Sequence, residues 1–260
     1  MMDAVQYILT RRPSSSIAQG ALTYMDRVTP DFALAELQHN AYRSALVAKG
    51  HALIDVPAAN GFPDSTFVED VVLAFPECFV LCRPGTASRL GEPELIASYL
   101  PEDRPIYRIE APATLDGGDI LRIGRDVFVG LSTRTNSAGL IGLERLLSSF
   151  NYKTIPVRVL GALHLKTAVT APTSDILLAN SDWVDLAPFG NRTIIDVDDD
   201  EPFSANTLHI GEQLFMQASH PRTTSRLKSL GLIIDALDIS EFAKIEAGLT
   251  CMSVIVPKAL

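Results

Sequence analysis

A cysteine near the end of the chain lies in Gly248-Leu249-Thr250-Cys251-Met252-Ser253-Val254, between a Gly-Leu turn and the apolar run Val254-Ile255-Val256. This context predicts a strand over 251–256 with Cys251 at its mouth, where a fold can hold a nucleophile still. Among side-chain nucleophiles the thiol is the one already a few per cent ionised at neutral pH. An imidazole is on offer in Ala162-Leu163-His164-Leu165-Lys166-Thr167, a segment that predicts a strand over 164–170. Carboxylates cluster in Phe67-Val68-Glu69-Asp70 and in Leu115-Asp116-Gly117-Gly118-Asp119. Thiol, imidazole and several acids together point to covalent attack on a cationic substrate.

A guanidinium group shows why these types would be gathered. Its pKa exceeds 12, so neutralising it at pH 7 costs upwards of about 7 kcal/mol. Ionising a thiol costs only about 2 kcal/mol. The cheaper route holds the cation between carboxylates and attacks its central carbon with sulfur, and the bound cation favours the thiolate. One histidine then protonates the departing amine and later deprotonates water.

Each residue also has a plainer reading. Cys251 alone reads as a small buried hydrophobe, as do Cys78 and Cys82 among their apolar neighbours. His164 alone reads as a core histidine that strand alternation would point away from Leu163 and Leu165. His39, His51, His209 and His220 have no chemical company and read as structural or surface residues. Asp116-Gly117-Gly118-Asp119 is a tight turn, in which one acid could face a pocket while the other caps the turn. Alternation in Asp64-Ser65-Thr66-Phe67-Val68-Glu69-Asp70 sets Asp64 and Asp70 on one side and Glu69 on the other. Acids among such apolar residues are costly unless paired. The acidic run 196–201 has Glu201 where a calcium loop needs glycine, so it reads as a solvated loop.

The elements that must position these groups are many and short. Helices are predicted over 29–50, 93–100, 136–150, 182–187 and 221–230, the first with Leu34, Leu37, Ala41 and Ala45 on its apolar stripe. Short apolar runs between them, including 67–75, read as strands. Several strands plus one helix per unit, five times over, is the expected plan, within one domain over 1–260. Hydrophobic residues make up 47% of the 260 and charged residues 20%, which fits an ordinary globular core. A net charge of −9 argues against a nucleic-acid surface and favours small cationic ligands. An odd count of three cysteines without paired spacing argues for a reduced, cytoplasmic protein without structural zinc. Met1-Met2-Asp3-Ala4 does not begin a secretion signal, and no apolar run is long enough to span a bilayer.

Six segments taken in order resemble the dimethylarginine dimethylaminohydrolases, a family of the guanidino-group modifying (pentein) superfamily. They are Phe62-Pro63-Asp64-Ser65-Thr66-Phe67-Val68-Glu69-Asp70, Arg83-Pro84-Gly85-Thr86-Ala87-Ser88-Arg89, Ala113-Thr114-Leu115-Asp116-Gly117-Gly118-Asp119, Gly130-Leu131-Ser132-Thr133-Arg134-Thr135-Asn136, His164-Leu165-Lys166-Thr167 and Leu249-Thr250-Cys251-Met252-Ser253. The resemblance runs from Arg11 to Ile255. It implies a five-bladed α/β propeller of ββαβ-type modules around a central pocket. It implies Cys251 as nucleophile, His164 as proton donor and acceptor, and Asp116 as the carboxylate beside His164. Asp70 would hold the guanidinium, with Glu69 in the supporting network. Asp64, with backbone carbonyls at Leu22 and Ile245, would bind the α-amino group, and Arg89 and Arg134 would clamp the α-carboxylate.

The expected activity is hydrolysis of Nω-methylated arginine to citrulline through an S-alkylthiouronium on Cys251. No cofactor or metal is expected, although a thiolate beside His164 could capture zinc as an inhibitor. The expected partner is the small-molecule substrate, with no nucleic acid and no membrane, in a monomer or homodimer. The rival readings are an arginine deiminase-like hydrolase releasing ammonia, and an idle binding protein for arginine-like metabolites.

Overall fold

The computed structural model describes residues 4–259. Residues 1–3, on which the leader-free start was read, and residue 260, the end of the expected domain, lie outside the described residues. Among the described residues, five three-stranded sheets form the framework. They are β1 (Val5–Arg11), β2 (Leu53–Val56) and β15 (Val254–Pro257); β3 (Val72–Ala74), β4 (Phe79–Leu81) and β5 (Ile106–Arg108); β6 (Ile120–Ile123), β7 (Asp126–Leu131) and β8 (Lys153–Arg158); β9 (Val169–Thr170), β10 (Ile176–Ala179) and β11 (Thr193–Asp196); and β12 (Leu208–Ile210), β13 (Gln213–Gln217) and β14 (Ile234–Leu237). In every sheet the middle strand runs antiparallel to one neighbour and parallel to the other. The middle strands are covered on both faces, so β4 and much of β7, β10 and β13 read as unbroken apolar runs.

The parallel pairs need crossovers, and helices supply most of them. These are α1 (Phe32–Ala48), α2 (Glu92–Ala97), α3 (Ser137–Ser148) and, after the short α4 (Leu165–Ala168), α5 (Pro221–Ser229). A last short helix, α6 (Ser240–Ala243), packs on α1. The module is therefore strand, strand, helix, strand, as expected for the propeller. The first blade borrows β15 from the far end of the sequence, which closes the ring against β1. Val72, Ile120, Thr170, Leu208 and Val254, at or beside the start of the five inner strands, line a central channel of about 410 Å³.

Local chemistry sets the helix limits. Asp31 accepts from Leu34 N–H at 3.1 Å and starts α1, and Asn136 accepts from Gly139 N–H at 2.8 Å and starts α3. Glu201 is 7% exposed and takes the Arg222 and Thr223 N–H groups at the start of α5, both at 2.8 Å. It is therefore a buried cap rather than part of a solvated loop, because helix N-termini present unpaired N–H groups.

Three other expectations change. The helix predicted over 182–187 does not form: Val184 is bridged to Val159, and the helical turn there is a 3-10 turn, Ala187–Phe189, which starts at the end of the predicted range with Pro188 in its first positions. On α1 the buried face is Ala35, Gln38, His39, Tyr42 and Leu46, whereas Leu37 is 66% exposed and Leu34 39%. Polar Gln38 hid this face, and it bonds Ser240 Oγ at 2.8 Å and Glu241 N–H at 3.0 Å. The strands predicted over 67–75, 164–170 and 251–256 begin later than expected. Each is preceded by a single tight turn: Val68–Asp70, α4 with His164 at its N-cap, and Thr250–Met252.

Candidate active site

Those turns place the chemistry. Asp70 precedes β3, Asp116 and Asp119 precede β6, His164 precedes β9, Asn206 precedes β12 and Cys251 precedes β15. Five repeats of one module bring these positions to the same end of the ring. Cys251, His164, Asp70, Asp64, Arg89 and Arg134 line one cavity there, closed over by Ala21, Ile245 and Glu246. Leu163 and His164 both face it, which strand alternation would forbid. The cavity holds only about 20 Å³, so an arginine-sized molecule enters only when the wall moves.

His164 is 4% exposed. Its Nε2 lies 3.0 Å from Asp116 Oδ2, and its Nδ1 lies 3.8 Å from Asp70 Oδ1. Asp119 turns elsewhere and accepts from Leu165 N–H at 2.9 Å and Ser132 Oγ at 2.6 Å. So Asp116 faces the imidazole and Asp119 fixes the backbone that carries it. Burial pulls the imidazole pKa down, but the charge of Asp70 and the bond to Asp116 outweigh it and raise the value to about 9. Burial also opposes ionisation of Asp70, yet His164 and Arg89 hold its carboxyl below the usual carboxylate range. Gly118 admits this packing, since a Cβ there would lie 2.6 Å from His164 Nδ1 and 2.8 Å from Asp70 Oδ1.

Burial, then the charges of Glu69 and Asp70, push the Cys251 thiol up to about 12. The Gly248 N–H, 3.4 Å from Sγ, works the other way. A protonated thiol and an imidazolium therefore line the same cavity. A guanidinium bound beside both would lower the thiol pKa by its own charge.

The substrate-binding candidates do not all face the same cavity. Asp64 is 6% exposed and accepts the Ala21 N–H at 3.2 and 3.1 Å, so the loop carrying Ala21 covers it. Leu22 lies outside the cavity wall and packs on the hydrophobic core cluster to which Ile245 belongs. Arg134 reaches Thr86 Oγ1 through Nη1 and Thr23 Oγ1 at 3.1 Å through Nη2. Arg89 lines the cavity with its fork turned inward onto Glu92 and Asp70, so the bidentate carboxylate clamp expected of it is not available in this arrangement. Glu69 faces the central channel instead, where it meets Lys166 Nζ at 2.5 Å and Thr250 Oγ1 at 2.6 Å. Consecutive acids on one turn thus serve opposite sides of a partition.

Asn206 went unnoticed in the sequence. Its Nδ2 donates to Lys166 O at 3.0 Å and Thr250 Oγ1 at 3.1 Å, and its Oδ1 accepts from Thr250 N–H at 3.1 Å. It ties the histidine turn to the cysteine turn. The available signal was its place two residues before an inner strand, like Asp70.

No protein-family model matches the chain. Curated relatives do. A protein of Pseudomonas aeruginosa named N(G),N(G)-dimethylarginine dimethylaminohydrolase is 36% identical over 250 residues, 95% of this chain and 98% of its own length. One of the same name from Streptomyces coelicolor is 36% identical over 247 residues, covering 95% of each. The chain belongs to the dimethylarginine dimethylaminohydrolase family. The solved Pseudomonas aeruginosa dimethylarginine dimethylaminohydrolase variant complexed with citrulline superposes with a TM-score of 0.91 at 35% identity, over 96% of this chain and 99% of that one. A dimethylarginine dimethylaminohydrolase adduct with S-methyl-L-thiocitrulline gives 0.92 at 36% identity, over 97% and 99%. A cyanobacterial arginine dihydrolase domain, at 17% identity and a TM-score of 0.87, shares the pentein fold over 97% of this chain and 98% of its own. Of the residues that the family resemblance singled out, seven line the cavity: Cys251, His164, Asp64, Asp70, Arg89, Arg134 and Ile245. Asp116 stands behind His164.

Proposed function

We propose that this chain hydrolyses Nω-methylated L-arginine, as asymmetric dimethylarginine or monomethylarginine, to L-citrulline and dimethylamine or methylamine. The observation that carries this is one cavity bounded by Cys251, an imidazolium at His164 and the carboxylates Asp64 and Asp70. It belongs to a chain 36% identical to dimethylarginine dimethylaminohydrolase, a family member of which is solved with citrulline.

The guanidinium lies against Asp70, and its charge draws the thiol proton off to solvent. Sulfur bonds to the guanidinium carbon. The bond from that carbon to the methylated nitrogen breaks as the imidazolium of His164 gives that nitrogen a proton, and the amine departs. Neutral His164 then takes a proton from water, whose oxygen bonds the same carbon of the S-alkylthiouronium. The carbon–sulfur bond breaks, citrulline leaves and the thiolate regains a proton. Asp116 keeps Nε2 engaged and offsets the imidazolium charge. Asp64 takes the α-amino group once Ala21 N–H releases it, and Arg134 takes the α-carboxylate.

Every step runs on side chains of this chain, so the proposal includes no cofactor or catalytic metal; zinc at Cys251 is proposed only as an inhibitor. Cavity residues come from Ala21 through Cys251, which supports one catalytic domain over 1–260. Three free cysteines support a reducing, cytoplasmic setting. The oligomer is proposed as a monomer or homodimer. No helix among the described residues is long and apolar enough to cross a membrane.

Citrulline formation from arginine, monomethylarginine and asymmetric dimethylarginine tests the reading, with wild type and Cys251→Ser. The expected result is product from the methylated substrates with wild type only, and an acid-trapped adduct on Cys251 by intact mass. Product mainly from arginine would replace the reading with a deiminase. Product from none would leave a binding protein.

A further inference from the structure

Arg89 and Glu92 form a buried pair that the proposed chemistry does not use, with side chains 4% and 1% exposed. Arg89 Nε lies 3.2 and 3.1 Å from the two Glu92 carboxylate oxygens, and Nη2 donates to Glu92 Oε2 at 2.8 Å. Nη2 also donates to the carbonyls of Asp64 at 3.2 Å and Phe67 at 3.0 Å. Only Nη1 reaches Asp70, at 2.6 Å from Oδ2. Two carboxylates thus compete for one guanidinium, and Glu92 holds the edge suited to bidentate pairing. Asp70 keeps Oδ1 for the Gly118 N–H at 3.1 Å, on the side of His164 and the cavity. Buried Arg11 also feels the Glu92 charge.

Without the Glu92 charge, Arg89 would keep its bonds to the Asp64 and Phe67 carbonyls and be left with Asp70 as its contacting carboxylate, with Asp64 adding a further negative charge nearby. Both Asp70 oxygens would be drawn to it, and less negative charge would face the cavity. We infer that Glu92 is a positioning residue of the reaction: by holding the bidentate edge of Arg89 it leaves Asp70 turned toward a cationic substrate, with Oδ1 on the cavity side. This rests on the hydrolase reading. A purely structural Glu92, anchoring the start of α2, would treat all ligands alike, because replacing a buried ion pair acts on the fold and not on one ligand's charge.

Substrate and product separate the two roles. Methylated arginine and citrulline share the α-amino and α-carboxylate groups and differ in the charge at the head. The readout is the ratio of KM for asymmetric dimethylarginine to the inhibition constant of citrulline. In Glu92→Gln this ratio is expected to rise about tenfold, as expected when one charge contact at the head is weakened. The double variant Arg89→Gln/Glu92→Gln removes the competing cation too, and its ratio is expected to return to within about threefold of wild type. Effects on the α-carboxylate cancel in the ratio. An unchanged ratio in Glu92→Gln, or a ratio still raised in the double variant, overturns the inference. Should Glu92→Gln not fold, Glu92→Asp takes its place: the withdrawn carboxylate is expected to raise the ratio about threefold, and no rise overturns the inference. A wild-type protein that forms no citrulline would instead sink the hydrolase reading itself.

Discussion

Replacing Asp70 with asparagine tests what keeps His164 protonated. The two groups lie 3.8 Å apart, and both are nearly excluded from solvent. At an effective dielectric near 20, unit charges at that distance interact by about 4 kcal/mol. At 1.36 kcal/mol per pKa unit this corresponds to about three units. The imidazole, raised to about 9 with Asp70 the largest upward cause, is then expected to fall in Asp70→Asn to roughly 6. At pH 8 the imidazolium fraction drops from about nine-tenths to about one-hundredth, so proton donation to the amine slows about a hundredfold. NMR titration of labelled histidines reads the shift directly. The chain has five histidines, and the His164 signal is the one missing from the His164→Asn spectrum. If His164 still titrates near 9 in Asp70→Asn, the charge network is wrong as described.

Three further outcomes follow from the same geometry. Iodoacetamide should modify Cys251 in the enzyme alone about tenfold faster per pH unit between pH 7 and 10, since only thiolate reacts and the thiol sits at about 12; peptide mass spectrometry locates the adduct, and a plateau below pH 9 would contradict this. Glu246 accepts the backbone N–H groups of Thr23 and Met25, at 2.9 and 2.7 Å, and that of Tyr24. Glu246→Gln is expected to weaken this hold by about 2 kcal/mol and to speed chymotryptic cleavage at Tyr24, which is 49% exposed, with the melting temperature little changed; an unaltered cleavage rate would show that the loop is held by other contacts. Zinc ions should inhibit citrulline formation reversibly, with activity restored by a chelator, and Cys251→Ser should lose zinc binding measured by calorimetry; equal binding by that variant would place the metal elsewhere.

The sequence made the apolar framework readable and misread the turns. Strand β13 carries the apolar run Leu214-Phe215-Met216, the kind of run that reads as a strand, because a buried strand is written in consecutive apolar residues. The runs around Asp70, His164 and Cys251 carry the same apolar signal, yet their first residues coil into single turns. Pattern periodicity is weakest over three or four residues, and here the partners that fix the turns come from other blades. Asp119 pins Leu165 from 46 positions away, and Asn206 pins Thr250 from 44. The acids, the histidine and the cysteine were legible as types. The inward orientation of Arg89 was not, because a glutamate three residues on reads as an ordinary helix-start acid until its burial is known.

The joint between β15 and β1 has a consequence for how the enzyme comes into being. The sulfur is carried by the turn just before the strand that completes the circle. A ribosome-bound chain that has made four blades already owns its histidine and its carboxylates, but no attacking atom. Reactivity therefore switches on with the final seam, and a half-made product stays chemically harmless.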